Sequence, residues 1–188
     1  MDNKKRLYEI LMTDNVVDSI NNNMNFLFKI IPEIKHAIYF DQKNPQHHLD
    51  VWNHTLLALS KSEQNFDVRL TLLLHDIGKP FSYQDGSDGI RHFKGHPDKS
   101  CDITNNILKK LGYDIDFILK ICYLVKYHDE PITLSEIEDD INLQKERFEV
   151  QRCDALAHHP DHLEKRIKYI NEIETLIKNE SEKIKKEV

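Results

Sequence analysis

The chain has 188 residues, of which 39% are hydrophobic and 31% charged, a balance that suits one soluble globular domain and excludes wholesale disorder. With 26 basic against 32 acidic side chains the formal charge is −6, so no extended nucleic-acid surface is expected. No apolar run approaches the ~18–20 residues of a membrane span, and no signal-peptide core is visible. The three cysteines, Cys101, Cys122 and Cys153, are far apart and suggest neither a CxxC site nor a disulfide frame. The expectation is a reduced, cytoplasmic protein.

Five glycines and six prolines are too few for a sandwich or barrel, which needs a turn signal every ~8–12 residues. The fold class expected is all-α, a single helical bundle over 1–188. Residues 1–40 read as about two helices, with Ile20, Met24, Phe28 and Ile31 at helical spacing and a break at Pro32. A loop from Asp41 to His48 precedes a helix from Asp50, its cap, to Ser60. The next helix runs from Asp67 to Ile77, stopped by Gly78 in a left-handed conformation and by Pro80. Residues 79–96 read as a long loop, a length that usually serves a purpose. Pro97 marks a first helical position, with His96 at the cap and Gly112 at the end. Helices follow at Asp114–Tyr127 and Gln144–Ala157, and a last one runs from 161 to about Lys178. The charged tail 179–188 is expected to fray. Asp114 and Asp116 read as a helix cap, and Glu136 to Asp140 as a solvated acidic face.

Several inner helix faces carry residues that do not belong in a core. His54 shares a stripe with Val51, Thr55 and Ala58. The apolar run Leu70–Leu74 ends abruptly in His75-Asp76. His128 completes the stripe of Ile121, Leu124 and Val125, and Asp154 lies in line with Val150 and Ala157. His96, at a helix entrance, is a fifth contributor. One inward histidine is ordinarily a hydrogen-bonded core residue. Two inward aspartates beside several imidazoles ask for more, because an uncompensated buried carboxylate costs several kcal/mol. No lysine or arginine occupies those stripes, so a divalent metal bound by imidazole nitrogen and carboxylate oxygen is the expected answer.

The order His54, His75-Asp76, Asp154, within the words HHLDVWNHTLLAL, LLLHDIGKP, HFKGHPDKS, LVKYHDE and RCDALAHH, resembles the HD-domain metal-dependent phosphohydrolases. It is most similar to the HD region of bacterial tRNA nucleotidyltransferases, over roughly residues 30–160. The resemblance implies an all-α fold with His54, His75, Asp76 and Asp154 around one metal. In members with two ions, Asp76 would bridge them and His96 and His128 would hold the second. The presence of both histidines leans toward two. Iron, manganese, cobalt or nickel suit such mixed ligands best, with zinc or magnesium also open. Cys153 reads as core packing.

The implied chemistry is hydrolysis of a nucleotide or small phosphate mono- or diester by metal-activated water, with Asp76, Lys79 and His92 as catalytic candidates. Lys79, three residues past Asp76, is placed to meet phosphate as a point charge, and a solvated loop lysine is its plain alternative. Arg91, His92 and Lys94 on the long loop are candidates for further phosphate contacts, His92 also for protonating the leaving oxygen. His158 is a candidate substrate contact, and His48 a candidate for the pocket wall. Within the same chemistry the rival is a dinucleoside polyphosphate hydrolase. The rival of another class is a nucleotide- or RNA-binding regulatory module with a non-catalytic metal. The expected partner is a small phosphorylated substrate, with no membrane; oligomeric state stays open.

Overall fold

A computed structural model describes residues 2–187. Its elements are α1 (Asn3–Leu11), α2 (Val16–Asn22), α3 (Met24–Ile30), α4 (Ile34–Ala37), α5 (Val51–Ser60), α6 (Phe66–Leu74), α7 (His96–Leu111), α8 (Ile115–Lys126), α9 (Leu134–Asp139), α10 (Ile141–Leu156) and α11 (Leu163–Glu187). A two-stranded antiparallel hairpin, β1 (Gln84–Asp85) with β2 (Arg91–His92), pairs Gln84 with His92 and Asp85 with Arg91. The fold is all-α as the composition indicates. Among the described residues no helix is long and apolar enough to cross a membrane.

Most helix starts obey the local capping rule, in which a short polar side chain accepts from an otherwise orphaned backbone N–H. Asp50 accepts from Asn53 N, Asn65 from Val68 N and Asp114 from Phe117 N. Leu7, Leu11, Ile20, Leu59, Leu70, Leu72, Leu74, Leu108, Ile121, Leu124 and Val150 fill one core. There α6 is sandwiched by its neighbours, so nearly every side chain from Val68 to Leu74 is buried. A smaller core joins Ile132 and Ile137 to Ile173 and Ile177 of α11.

Four expectations are corrected. Residues 1–40 form four short helices rather than two, because Asn15 and Asn23 interrupt the apolar periodicity and each starts a new helix. The 79–96 stretch is not structureless, since a 3-10 turn (Lys79–Phe81) and the hairpin occupy it. The 134–139 acidic stretch is α9, opened by a reciprocal capping box between Thr133 and Glu136. The last helix does not end near 178: α11 continues to Glu187, seated by Ile173 and Ile177 and carrying the intrahelical Lys183–Glu180 pair.

Gly78 is also not left-handed. Its φ is −80°, and what demands glycine is proximity to α7. A Cβ would lie 2.5 Å from Ser100 N and 2.7 Å from His96 O, while Gly78 N donates to Ser100 Oγ at 2.9 Å. Backbone thus meets backbone where His75-Asp76 is presented. Gly78→Ala is expected to cost about 1–3 kcal/mol of stability by overpacking, measured by urea unfolding, with Gly95→Ala, where the added carbon meets nothing within 4 Å, as the comparison for backbone strain alone.

Candidate metal centre

Five elements deliver the site. The first turn of α5 presents His54, and the turn closing α6 presents His75 and Asp76. The first turn of α7 supplies His96, the turn just past α8 supplies His128, and the last turn of α10 supplies Asp154. All six side chains are buried.

Four of the imidazoles are fixed in the same way. Nδ1 of His54 donates to Ala157 O at 3.2 Å, that of His75 to Leu72 O at 2.7 Å, that of His96 to Phe93 O at 3.0 Å and that of His128 to Val125 O at 2.6 Å. A carbonyl only accepts, so each ring carries its proton on Nδ1 and turns the Nε2 lone pair inward. Such backbone anchoring of the far nitrogen is what orients a metal-binding histidine.

The Asp76 carboxylate divides the site in two. Its Oδ2 lies 3.3 Å from His75 Nε2 and 3.6 Å from His54 Nε2, while Oδ1 lies 3.2 Å from His96 Nε2 and 3.8 Å from His128 Nε2. Asp154 Oδ1 closes the first group at 2.7 Å from His54 Nε2 and 3.5 Å from His75 Nε2. Asp129, just past α8, closes the second, 3.3 Å from His96 Nε2 and 3.6 Å from His128 Nε2. In each of the triads His54–His75–Asp154, His75–Asp76–His128 and His96–His128–Asp129, the ligand atoms lie within 4.8 Å of one another.

The donor set fits divalent metal. His75 Nε2 and both Asp76 oxygens are buried with no hydrogen bond of good geometry, and His96 Nε2 and His128 Nε2 face each other at 3.4 Å. Facing acceptors need a cation or a proton between them. Burial works to lower the His75 pKa, but the Asp76 and Asp154 carboxylates outweigh it and carry it to about 10. Burial works to raise Asp76, yet Lys79 and His75 hold it well below the usual carboxylate range; His158, His54 and His75 do the same for Asp154.

Lys79 brings a cation to the site from outside these stripes. The 3-10 turn folds it inward, buried, with Nζ 2.7 Å from Asp76 Oδ2 and donating to Gln42 Oε1 at 2.9 Å. The Asp76 contact is an ion pair to Oδ2, and Oδ1 is the oxygen left facing His96 and His128. A cavity of about 160 Å³ opens onto Asp76, Lys79, His96, His128, Asp129, Asp154, His158, His47 and Arg166.

Of the candidates named from sequence, Lys79 and His158 reach this cavity, while Arg91, His92 and Lys94 do not border it. The Arg91 guanidinium is committed to Asp85, at 2.7 and 3.1 Å, and lies over the Tyr83 and Phe40 rings. His92 and Lys94 are exposed on the hairpin side. His47, not His48, sits on the wall, its ring 4.5 Å from that of His158. Asp129 and Arg166 were missed; the one signal for Asp129 was its place directly after His128.

The geometry agrees with what known proteins share with this chain. The HD domain family matches residues 46–185. The chain belongs to the HD domain family. The A-adding tRNA nucleotidyltransferase of Deinococcus radiodurans is 34% identical over 88 residues, and the CC-adding tRNA nucleotidyltransferase of Thermus thermophilus 32% over 88 residues. Each match takes in 44% of this chain and 20% of the relative, so the chain spans about a fifth of the length of these proteins. As an HD domain, the chain carries histidine and aspartate clusters able to hold divalent metal.

The segment after α8 is held from outside the site. Arg147, buried on α10, donates to Tyr127 O at 2.9 Å, Glu130 O at 2.7 Å and Glu136 Oε1 at 2.8 Å. Gln151 donates to Glu130 O at 2.6 Å. These bonds fix the backbone on both sides of His128 and Asp129. Burial works to raise the Glu136 pKa, but hydrogen bonds from Thr133 and the charge of Arg147 bring it below its ordinary 4.5. A depressed carboxylate stabilises the fold above its unfolded pKa, and that contribution is lost as pH falls through the lower folded value. Glu136→Gln should therefore flatten the acid limb of stability below about pH 4.5, followed by urea unfolding across pH 3–6; an unchanged limb would contradict the pairing.

Proposed function

We propose that this chain is a metal-dependent phosphohydrolase acting on a nucleotide or another small phosphate ester. The observation that carries the reading is Asp76: a buried carboxylate whose two oxygens face two separate groups of inward nitrogen lone pairs. A purely structural metal site would be closed by its ligands, whereas these groups border an open cavity.

In this reading His54, His75, Asp76 and Asp154 would hold one ion, and Asp76, His96, His128 and Asp129 would hold a second. When bound, divalent metal supplies a Lewis acid for phosphoryl oxygen and hydroxide near neutral pH. The remaining roles belong to the chain. Lys79 brings positive charge to the cavity beside Asp76, where phosphate would enter, and Gln42 fixes its direction. His158, its Nδ1 bonded to Asp154 O at 2.8 Å, steadies the α10 end that carries Asp154. Burial lowers the His158 pKa to about 4, so this ring stays neutral at pH 7 and leaves the cation role to Lys79. Iron, manganese, cobalt or nickel match the ligand chemistry best.

Asp76→Ala is expected to lose both bound metal and hydrolysis, read by elemental analysis and by phosphate release from nucleoside monophosphates, cyclic nucleotides and dinucleoside polyphosphates. Activity within a few-fold of the parent would overturn the bridging role. Lys79→Ala should keep its metal while turnover falls by about 100-fold, the usual loss on removing a charge-stabilising group. Metal loss in a folded Lys79→Ala protein would assign this lysine to the metal cage instead.

A further inference from the structure

A second space adjoins the metal cavity. It is a groove of about 260 Å³ between α10, α11 and the segment after α8. His128, Asp129, Asp154 and Arg166 border both spaces, so the two communicate directly. The walls of the groove differ in character. Tyr169, Pro131 and Ala155 offer apolar surface, Asp129 and Glu130 offer carboxylates, and Lys165 adds a second cation beside Arg166.

Arg166 stands where the spaces meet. It is half-buried in the first turns of α11, and its recorded bond is to a neutral acceptor, Gln46 Oε1, at 3.0 Å. Among the described residues no carboxylate forms an ion pair with it, whereas Arg91, Arg147 and Arg152 are each paired with one. An unpaired guanidinium on a cavity wall is a fork-shaped donor set suited to two phosphate oxygens. Gln46 gives it a fixed position, because the Gln46 carbonyl in turn accepts from His159 N at 2.9 Å.

We propose that Arg166 binds the substrate's phosphate and that the adjoining groove holds one nucleoside, making the substrate a nucleoside monophosphate. This rests on the phosphohydrolase reading and extends it to a substrate class. The order of chemistry along the two spaces matches that ligand. Anion-binding groups lie at the metal end, an aromatic and apolar wall can face a base, and the carboxylate of Glu130 can accept from sugar hydroxyls or an exocyclic amine. The size matches as well. At 260 Å³ the groove falls just below the ~300–1,000 Å³ of drug-sized pockets, which favours one nucleoside over the two of a dinucleoside polyphosphate. Arg166 also supplies the phosphate contact that Arg91, turned toward Asp85, does not.

The test is binding to the zinc-loaded protein, with methylphosphonate and the non-hydrolysable phosphonate analogue of adenosine monophosphate as probes. Calorimetry should show the analogue binding at least about tenfold more tightly than methylphosphonate. Nuclear Overhauser contacts should connect its base protons to the Tyr169 ring and the Ala155 methyl. Arg166→Met should weaken both probes by about tenfold to a hundredfold, the weight of a charged hydrogen bond, and Arg166→Lys should recover part of the loss. Equal affinity for the two probes, absent Tyr169 contacts, or an Arg166→Met protein with the same metal content and undiminished affinity would overturn the inference while leaving the phosphohydrolase reading intact. Failure of the zinc-loaded protein to bind methylphosphonate at all would instead bring down that reading, and this one with it.

Discussion

Asp76 and Asp154 are almost wholly buried, with only an edge turned to the cavity, and most of their charge must be answered from within. Isolated in a low-dielectric interior, each would cost several kcal/mol, a sizeable share of the ~5–15 kcal/mol that keeps a domain folded. The protein surrounds them with imidazole nitrogens and a single ammonium, that of Lys79. This arrangement is stable only if the rings keep their orientation, and backbone carbonyls supply that by taking the Nδ1 proton of each. The same carbonyls that complete the helix ends therefore determine which way the site's lone pairs point.

The supporting structure follows from that demand. All five contributing elements place their residue in a terminal turn or just past a helix end, where backbone groups are free to bond a side chain. Close approach of the α6 turn to α7, possible because Gly78 has no side chain, brings His96 to the far oxygen of Asp76. Arg147 and Gln151 act at a distance from the centre, but they hold the backbone on which His128 and Asp129 are mounted. The loss of any one support would misplace a ligand without touching it.

Much of this was legible in the sequence, for identifiable reasons. His54, His75, Asp76, His128 and Asp154 interrupt apolar stripes at helical spacing, so each announces itself against its neighbours. Asp129 does not: it lies beyond the end of α8, where periodicity no longer says which way a residue faces. Arg91, His92 and Lys94 are near His96 in sequence, but a hairpin with two residues per strand turns them elsewhere, and strands that short leave no alternating pattern. The burial of Lys79 depends on a 3-10 turn, and local composition offered only a loop lysine beside Pro80. α9 was readable in principle, since Thr133 and Glu136 have the spacing of a capping box, but the run of acidic residues masked it. Arg166 was hidden for a different reason. On an amphipathic helix rich in charge, nothing local separates a cation that borders the metal cavity from those that do not.

α11 is seated by Ile170, Ile173 and Ile177, well away from the histidines, while its first turns border the space beside them. The hydrophobic joint begins right beside Tyr169, about one turn past Arg166, and sets how α11 lies over that space. Small changes at this joint would tilt the rod and reshape the entrance without disturbing a single donor atom. On the phosphohydrolase reading, chemistry and selectivity are mechanically separable, the one resting on the bundle's interior and the other on how α11 leans.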